Sequence, residues 1–172
     1  MNVCDALRYE LAKSLVQELA KSKHIAKISS ALAMLPTETK FCKPSLLPHK
    51  SLTLFGTTDE QNMCVDNKLL DTTQKRSEHL ESYREKSVCV PFEEVAQYNQ
   101  DKNREVFKNS LVYIFHDSID TTGHDGTGKQ IVAGCTQAVQ ELSTLVSKIL
   151  SSYNVTEVYV TADHGFTVTL TR

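Results

Sequence analysis

The sequence lacks four things that would each point to a function class. It has no apolar run near the roughly 20 residues needed to cross a bilayer, no Cys-x-x-Cys pair, no excess of charge of either sign, and no internal repeat or low-complexity tract. The first absence excludes a transmembrane helix. The opening residues "MNVCDALRYE" lack a basic head followed by a long apolar stretch, so no signal peptide is expected and a cytoplasmic location is. The five cysteines, Cys4, Cys42, Cys64, Cys89 and Cys135, are scattered singly and odd in number, which excludes a zinc ribbon or dithiol motif and predicts half-buried thiols in a reducing compartment. A net charge of -2 and a pI near 6.3 argue against a dominant nucleic-acid footprint, although a local basic groove is compatible with that average, so nucleic acid is neither excluded nor supported. At 172 residues the chain suits one domain that can bury a core without disulfides.

What is present is an α/β pattern. "DALRYELAKSLVQELAKS" places Leu7, Leu11, Leu15, Val16, Leu19 and Ala20 on one side at helical spacing, after a short "NVC" that reads as the end of a strand. "GKQIVAGCTQAVQELSTLVSKILSS" repeats the pattern with Ile131, Val132, Cys135, Val139, Leu142, Val146, Ile149 and Leu150. "SLVYIF" and "TEVYVTA" are apolar enough for buried parallel strands, with weaker strands at "LTLF" and "SVCVPF". Between Gly56 and Lys86 the chain is polar and poorly periodic, which predicts surface loop and short helix. Strand and helix alternate, favouring a mostly parallel sheet covered by helices.

Ligands of an open α/β sheet bind outside the carboxyl ends of its strands, where loops diverge. Three strands here run into acidic residues. The first leads to Asp5. The one ending at Phe115 leads to "HDSIDTTGHDGTG", with Asp117, Asp120 and His124, and the last leads to Asp163 and His164. Parallel strands would bring these side chains to one edge, where clustered carboxylates repel unless a positive charge neutralises them. A divalent cation does this economically, and a mixed Asp and His set suits zinc, with manganese as the rival. Each piece also has a plainer use. Asp5 suits an N-cap, the Asp120 and Asp163 stretches suit turns, and only His124 gains nothing from a turn. His24, His49 and His79 have no acidic partner at ligand spacing and read as surface or packing residues.

Taken in order, "CDALRYE", "LPTETKFCKPSLLPH", "IDTTGHDG" and "TADHGF" resemble the PglZ family of the alkaline phosphatase superfamily, the phosphatase-like component of BREX phage-resistance systems. The resemblance covers Asp5 to Phe166. It implies an alkaline-phosphatase-like three-layer α/β sandwich with a mostly parallel sheet, truncated at both ends, as one partial domain over residues 1–172. It further implies two divalent metal ions, one held by Asp5, Thr39, Asp163 and His164, the other by Asp120, His124 and a histidine from downstream sequence. "LPTETKF" offers Thr37 and Thr39, and because the second hydroxyl attacks in related enzymes with a Pro-Thr-x-Thr pattern, the resemblance implies Thr39 as the catalytic nucleophile, its alkoxide stabilised by a bound cation. Without the resemblance both threonines suit capping of a helix near Lys40. Lys40 and Lys43 could attract an anion, though scattered lysines usually mean solvated surface. Arg8 is expected to pair with a neighbouring acid, and His116 and Asp117 to orient the ligands.

The leading expectation is therefore a metal-dependent hydrolase of phosphate esters, with phosphodiesterase or nuclease action on nucleic acid as the near alternative. A non-catalytic scaffold among other BREX components is the rival class. Only "MNVC" precedes Asp5, and the chain ends before a downstream histidine, so a fragment with a weakly held second metal and low activity is expected.

Overall fold

A computed structural model describes residues 1–57, 60–125 and 128–166, the side chains of residues 124 and 125 excepted. In chain order the elements are β1 (Asn2–Cys4), α1 (Tyr9–Lys21), α2 (Thr39–Ser45), β2 (Leu52–Gly56), β3 (Gln61–Val65), β4 (Lys68–Leu69), α3 (Thr73–Tyr83), β5 (Ser87–Pro91), α4 (Phe92–Gln97), α5 (Gln100–Phe107), β6 (Leu111–His116), α6 (Ser118–Asp125), α7 (Gly128–Ser152) and β7 (Val160–Ala162). The main sheet has the order β5-β6-β1-β7, and all its pairings are parallel. The α/β class and mostly parallel sheet read from the sequence are the observed architecture.

Strand β6 shows why. Its residues Val112 to His116 are all buried, so both faces of the strand must be covered. Val112 and Ile114 pack with Leu145, Ile149 and Tyr153 of the α7 side. Tyr113 and Phe115 point the other way, onto Leu47, Val65, Leu70 and Leu80. Helices α1 and α7 join through Leu15, Leu19, Ala138, Val139, Leu142 and Val146, the same helical stripe legible in the sequence. The result is three layers, with the parallel sheet in the middle.

The structure corrects two readings. Residues between Gly56 and Lys86 are not loop and short helix alone. They hold β3 and β4, which with β2 form an antiparallel sheet, followed by the 11-residue helix α3. The turn between β3 and β4 is Asp66-Asn67, with φ of 48° and 62°, the left-handed pair that a two-residue hairpin requires. The alternation was invisible because β2 faces outward along nearly its whole length and only Met63 to Val65 of β3 are buried. Helix α3 buries only His79 and Leu80, too narrow a stripe to register as a period.

The stretch after β6 is also not a plain loop. Ser118 to Asp125 form α6, anchored by the buried Ile119. Thr121 and Thr122, poor helix formers, donate their hydroxyls to the carbonyls of Asp117 and Ser118 four residues back. Asp120 lies in the first turn, where the helix dipole favours a carboxylate. The ladder of β7 takes only Val160 to Ala162 of the expected "TEVYVTA".

Leu142 is fully buried between α1 and α7, whereas Val132 on the same helix is 66% exposed. Leu142→Ala is therefore expected to cost about 3 kcal/mol and Val132→Ala less than about 0.5 kcal/mol. The midpoint of urea unfolding for each variant checks both.

Candidate metal centre

The carboxyl ends of three neighbouring strands are level. Cys4 of β1 pairs with His116 of β6 on one side and with Ala162 of β7 on the other. The next residues are Asp5, Asp117 and Asp163, so the parallel sheet alone carries three carboxylates to one edge. Asp5 does not cap α1. That helix begins at Tyr9, and its N-cap Arg8 makes no side-chain cap bond. Instead the Asp5 amide continues the ladder to the His116 carbonyl at 2.8 Å. The chain then turns at Ala6, whose φ of 60° is left-handed. A non-glycine residue there costs roughly 1–2 kcal/mol. The strained turn aims the Ala6 amide at Asp163 Oδ1, 3.3 Å away, and the His164 amide donates to the same oxygen at 2.9 Å.

Four polar side-chain atoms then converge. His164 Nε2 lies 3.3 Å from Asp5 Oδ1 and 3.7 Å from Asp163 Oδ2. Thr39 Oγ1 lies 3.0 Å from His164 Nε2 and 3.3 Å from Asp5 Oδ1. The other ring nitrogen of His164, Nδ1, sits 3.0 Å from the Gly165 carbonyl. A carbonyl accepts only, so that nitrogen carries a proton, and in the neutral ring Nε2 is the nitrogen with the lone pair. Two carboxylate oxygens and one imidazole lone pair thus face each other, with one hydroxyl proton among them. Asp163 Oδ2 is buried without any hydrogen-bond partner, and burial, with the Asp5 charge added, pushes Asp163 up to about 6.

This arrangement fits a cation. Bonds of about 2.0 to 2.1 Å from zinc to oxygen or nitrogen put tetrahedral ligands roughly 3.3 Å apart, close to the separations of Asp5, Thr39 and His164. Among the described residues, Asp5, Asp163 and His164 form a group whose ligand atoms all lie within 4.8 Å of one another. The Nδ1–H bond to Gly165 fixes the tautomer a metal-binding histidine needs.

Thr39 opens α2, but neither threonine caps it. The N-cap is Glu38, without a side-chain cap bond, and Thr37 is exposed. Thr39 is half-buried. Asp120 stands one turn into α6, at the same edge of the sheet and outside the group of three. The side chain of His124 lies outside the described residues, as do Gly126 and Thr127 of the "HDSIDTTGHDGTG" stretch.

Lys43 is the residue the sequence reading misplaced. It is not solvated surface but 5% exposed, with Nζ 2.7 Å from Asp5 Oδ2 and 2.9 Å from Asp117 Oδ1. Burial works against the ammonium, yet its bonds to Asp5 and Asp117 outweigh that and hold it above the ordinary lysine range. The available signal was its place four residues after Thr39, on the same helical face. Lys40 is exposed and pairs with Glu38. Arg8 pairs with Glu10 at 3.2 Å, as expected, and stacks on Phe166. His116 contributes its carbonyl to the site, while its ring turns away to Glu141 at 3.0 Å. Beside the cluster an open cleft of about 1020 Å³ is lined by Arg8, Thr37, Asp163, His164 and Phe166, among others.

Comparison with known proteins gives a consistent picture. Residues 1–170 match the family described as the BREX system PglZ alkaline phosphatase-like domain. The chain is 29% identical over 167 residues to the alkaline phosphatase-like protein PglZ of Bacillus cereus (strain H3081.97), covering 95% of this chain and 19% of that protein. It is 30% identical over 167 residues to the alkaline phosphatase-like protein BrxZ of Escherichia coli O9:H4 (strain HS), with the same coverages. The chain thus spans about a fifth of the length of these curated relatives. No solved structure matches. Among the described residues, no helix is long and apolar enough to cross a membrane.

The buried Asp163 sets a pH dependence for metal-free protein. Its folded pKa near 6 lies above the ordinary 3.8, so between about pH 4 and 6 the folded state binds more protons than the unfolded one. Its contribution to stability is therefore present at low pH and lost as pH rises through that window, by about 2 to 3 kcal/mol. Asp163→Asn keeps the acceptor for Ala6 and His164 and removes the charge. With a chelator present, thermal unfolding is expected to show wild type losing stability relative to Asp163→Asn as pH rises from 4 to 6.5. A flat difference contradicts the uncompensated charge.

Proposed function

The chain belongs to the PglZ family of BREX-system alkaline phosphatase-like domains, and from that membership and the acceptor cluster at the sheet edge we propose that it carries the nucleophile and metal seat of a phosphate-ester hydrolase. The observation that carries the reading is the Thr39 hydroxyl, half-buried and within 3.3 Å of both Asp5 and His164. Asp5, Asp163 and His164, with Thr39 beside them, are the residues suited to hold one divalent cation, zinc or manganese. Asp120 and His124 are assigned to a second. When bound, such a cation supplies the Lewis acidity that makes a threonine alkoxide accessible at neutral pH.

The chain's own groups supply the rest. Thr39 Oγ1 loses its proton to solvent and attacks phosphorus. The bond from phosphorus to the ester oxygen breaks, the alcohol leaves with a proton, and phosphothreonine remains. Water then attacks the same phosphorus, restoring the hydroxyl and releasing phosphate, or a monoester where a diester was bound. His164 is kept in one orientation by the Gly165 carbonyl and holds the ring edge against Thr39. The open cleft beside His164 gives the leaving group a place. Family membership supports substrates of the phosphate-ester class and the remaining BREX components as partners.

The test uses a chromogenic phosphomonoester and phosphodiester, each with added zinc or manganese. Thr39→Ala is expected to lower turnover at least roughly a thousandfold, and mass spectrometry of acid-quenched wild type to find phosphate on Thr39. Asp163→Ala is expected to lose the metal that wild type retains after dialysis. A wild type that retains no metal and turns over neither substrate ends the hydrolase reading and leaves a scaffold role.

A further inference from the structure

We propose that Lys43 is the positioning residue of this site: its ammonium clamps α2, and with it the Thr39 hydroxyl, to the carboxyl ends of β1 and β6, assembling the ligand cluster before a cation arrives. Thr39 and Lys43 stand four residues apart on one face of the helix. Each takes one oxygen of the same carboxylate, Thr39 reaching Asp5 Oδ1 at 3.3 Å and Lys43 reaching Asp5 Oδ2 at 2.7 Å. The ammonium continues to Asp117 Oδ1 at 2.9 Å. One lysine therefore ties a helix to two strands.

Helix α2 needs such a tie. It has seven residues, one of them Pro44, and helices of that length do not hold themselves in water. The chain reaches it through residues 22–38, which form no helix or strand and are mostly exposed. Phe41 and Cys42 bury the apolar side of α2, which fixes its depth. Apolar contacts are non-directional, so they leave its rotation and slide to the polar contacts. The bond to Asp5 Oδ2 also dictates which oxygen a cation can use. With Oδ2 taken by Lys43, Oδ1 is the one that faces Thr39 and His164. The ammonium finally offsets part of the repulsion among Asp5, Asp117 and Asp163.

This inference rests on the reading of Thr39 as the nucleophile, but its test does not use activity. Amide exchange is followed in chelator-treated protein for wild type, Lys43→Met, Lys43→Arg and Asp117→Asn. In Lys43→Met the amides of Phe41 and Cys42, both bonded to the Glu38 carbonyl, are expected to exchange roughly a hundredfold faster, with α7 unchanged. Added zinc is expected to restore their protection, because a cation then takes over the compensation of Asp5. Lys43→Arg is expected to retain protection. Asp117→Asn, which removes one of the two anchors and leaves Asp5 paired, is expected to loosen α2 alone and to a smaller degree. It decides the matter if Lys43→Met does not fold. Unchanged exchange in α2, or acceleration that spreads to α7 and is not reversed by zinc, overturns the proposal. Absent turnover with the exchange pattern intact removes the hydrolase reading and leaves the clamp standing.

Discussion

The Asp5 carboxylate, buried at the end of the central pair of strands, is the constraint around which this edge of the molecule is organised. A lone buried carboxylate is costly because water no longer solvates it. Here its two oxygens are divided: one takes the Lys43 ammonium at 2.7 Å, the other faces Thr39 and His164. The division means that β1, α2 and β7 cannot move independently. A shift of any one leaves a buried charge or an acceptor without its partner, which costs more than the net worth of the contact.

Parallel topology explains why so few residues suffice. Because β6, β1 and β7 end level, the residue after each strand is delivered to the same place without any loop having to search for it. The backbone completes the arrangement. The left-handed Ala6 turns the chain away at once and spends its amide on Asp163 Oδ1, which leaves Asp163 Oδ2 facing inward with nothing to accept from. Backbone strain at Ala6 and an unsatisfied buried acceptor on its hydrogen-bond partner Asp163 are features that folding alone does not favour, and they persist where the surrounding structure over-determines them.

The division between what the sequence disclosed and what it hid is physical. Helix α7 was legible to the residue because its stripe is long and continuous, and β6 because both its faces are buried. The convergence of Asp5, Asp163 and His164 followed from strand ends plus the parallel rule. The β2-β3-β4 sheet was hidden because its outer face is polar and its strands short, so neither period appears. Lys43 was hidden for a different reason. A buried lysine is identified by partners from other strands, Asp5 and Asp117, which lie 38 and 74 positions away, and no local pattern encodes that. Thr39 was selected by family likeness, since on local grounds a cap was the preferred reading. In the structure it caps nothing and points its hydroxyl into the cluster.

That last point bears on whether the fold serves chemistry or architecture. On the proposed reading an acid pushed up to about 6 by burial, an imidazole nitrogen beside two carboxylate oxygens and a hydroxyl placed between them serve chemistry rather than packing. Replacing such groups with apolar residues of similar size is commonly neutral or stabilising. Lys43 already offsets the charge of Asp5, so a purely structural edge would be complete with that pair. The additional acceptors contributed by Asp163 and His164 are what the proposed reading uses: they suit a positive partner from outside the chain, set against the one hydroxyl in reach.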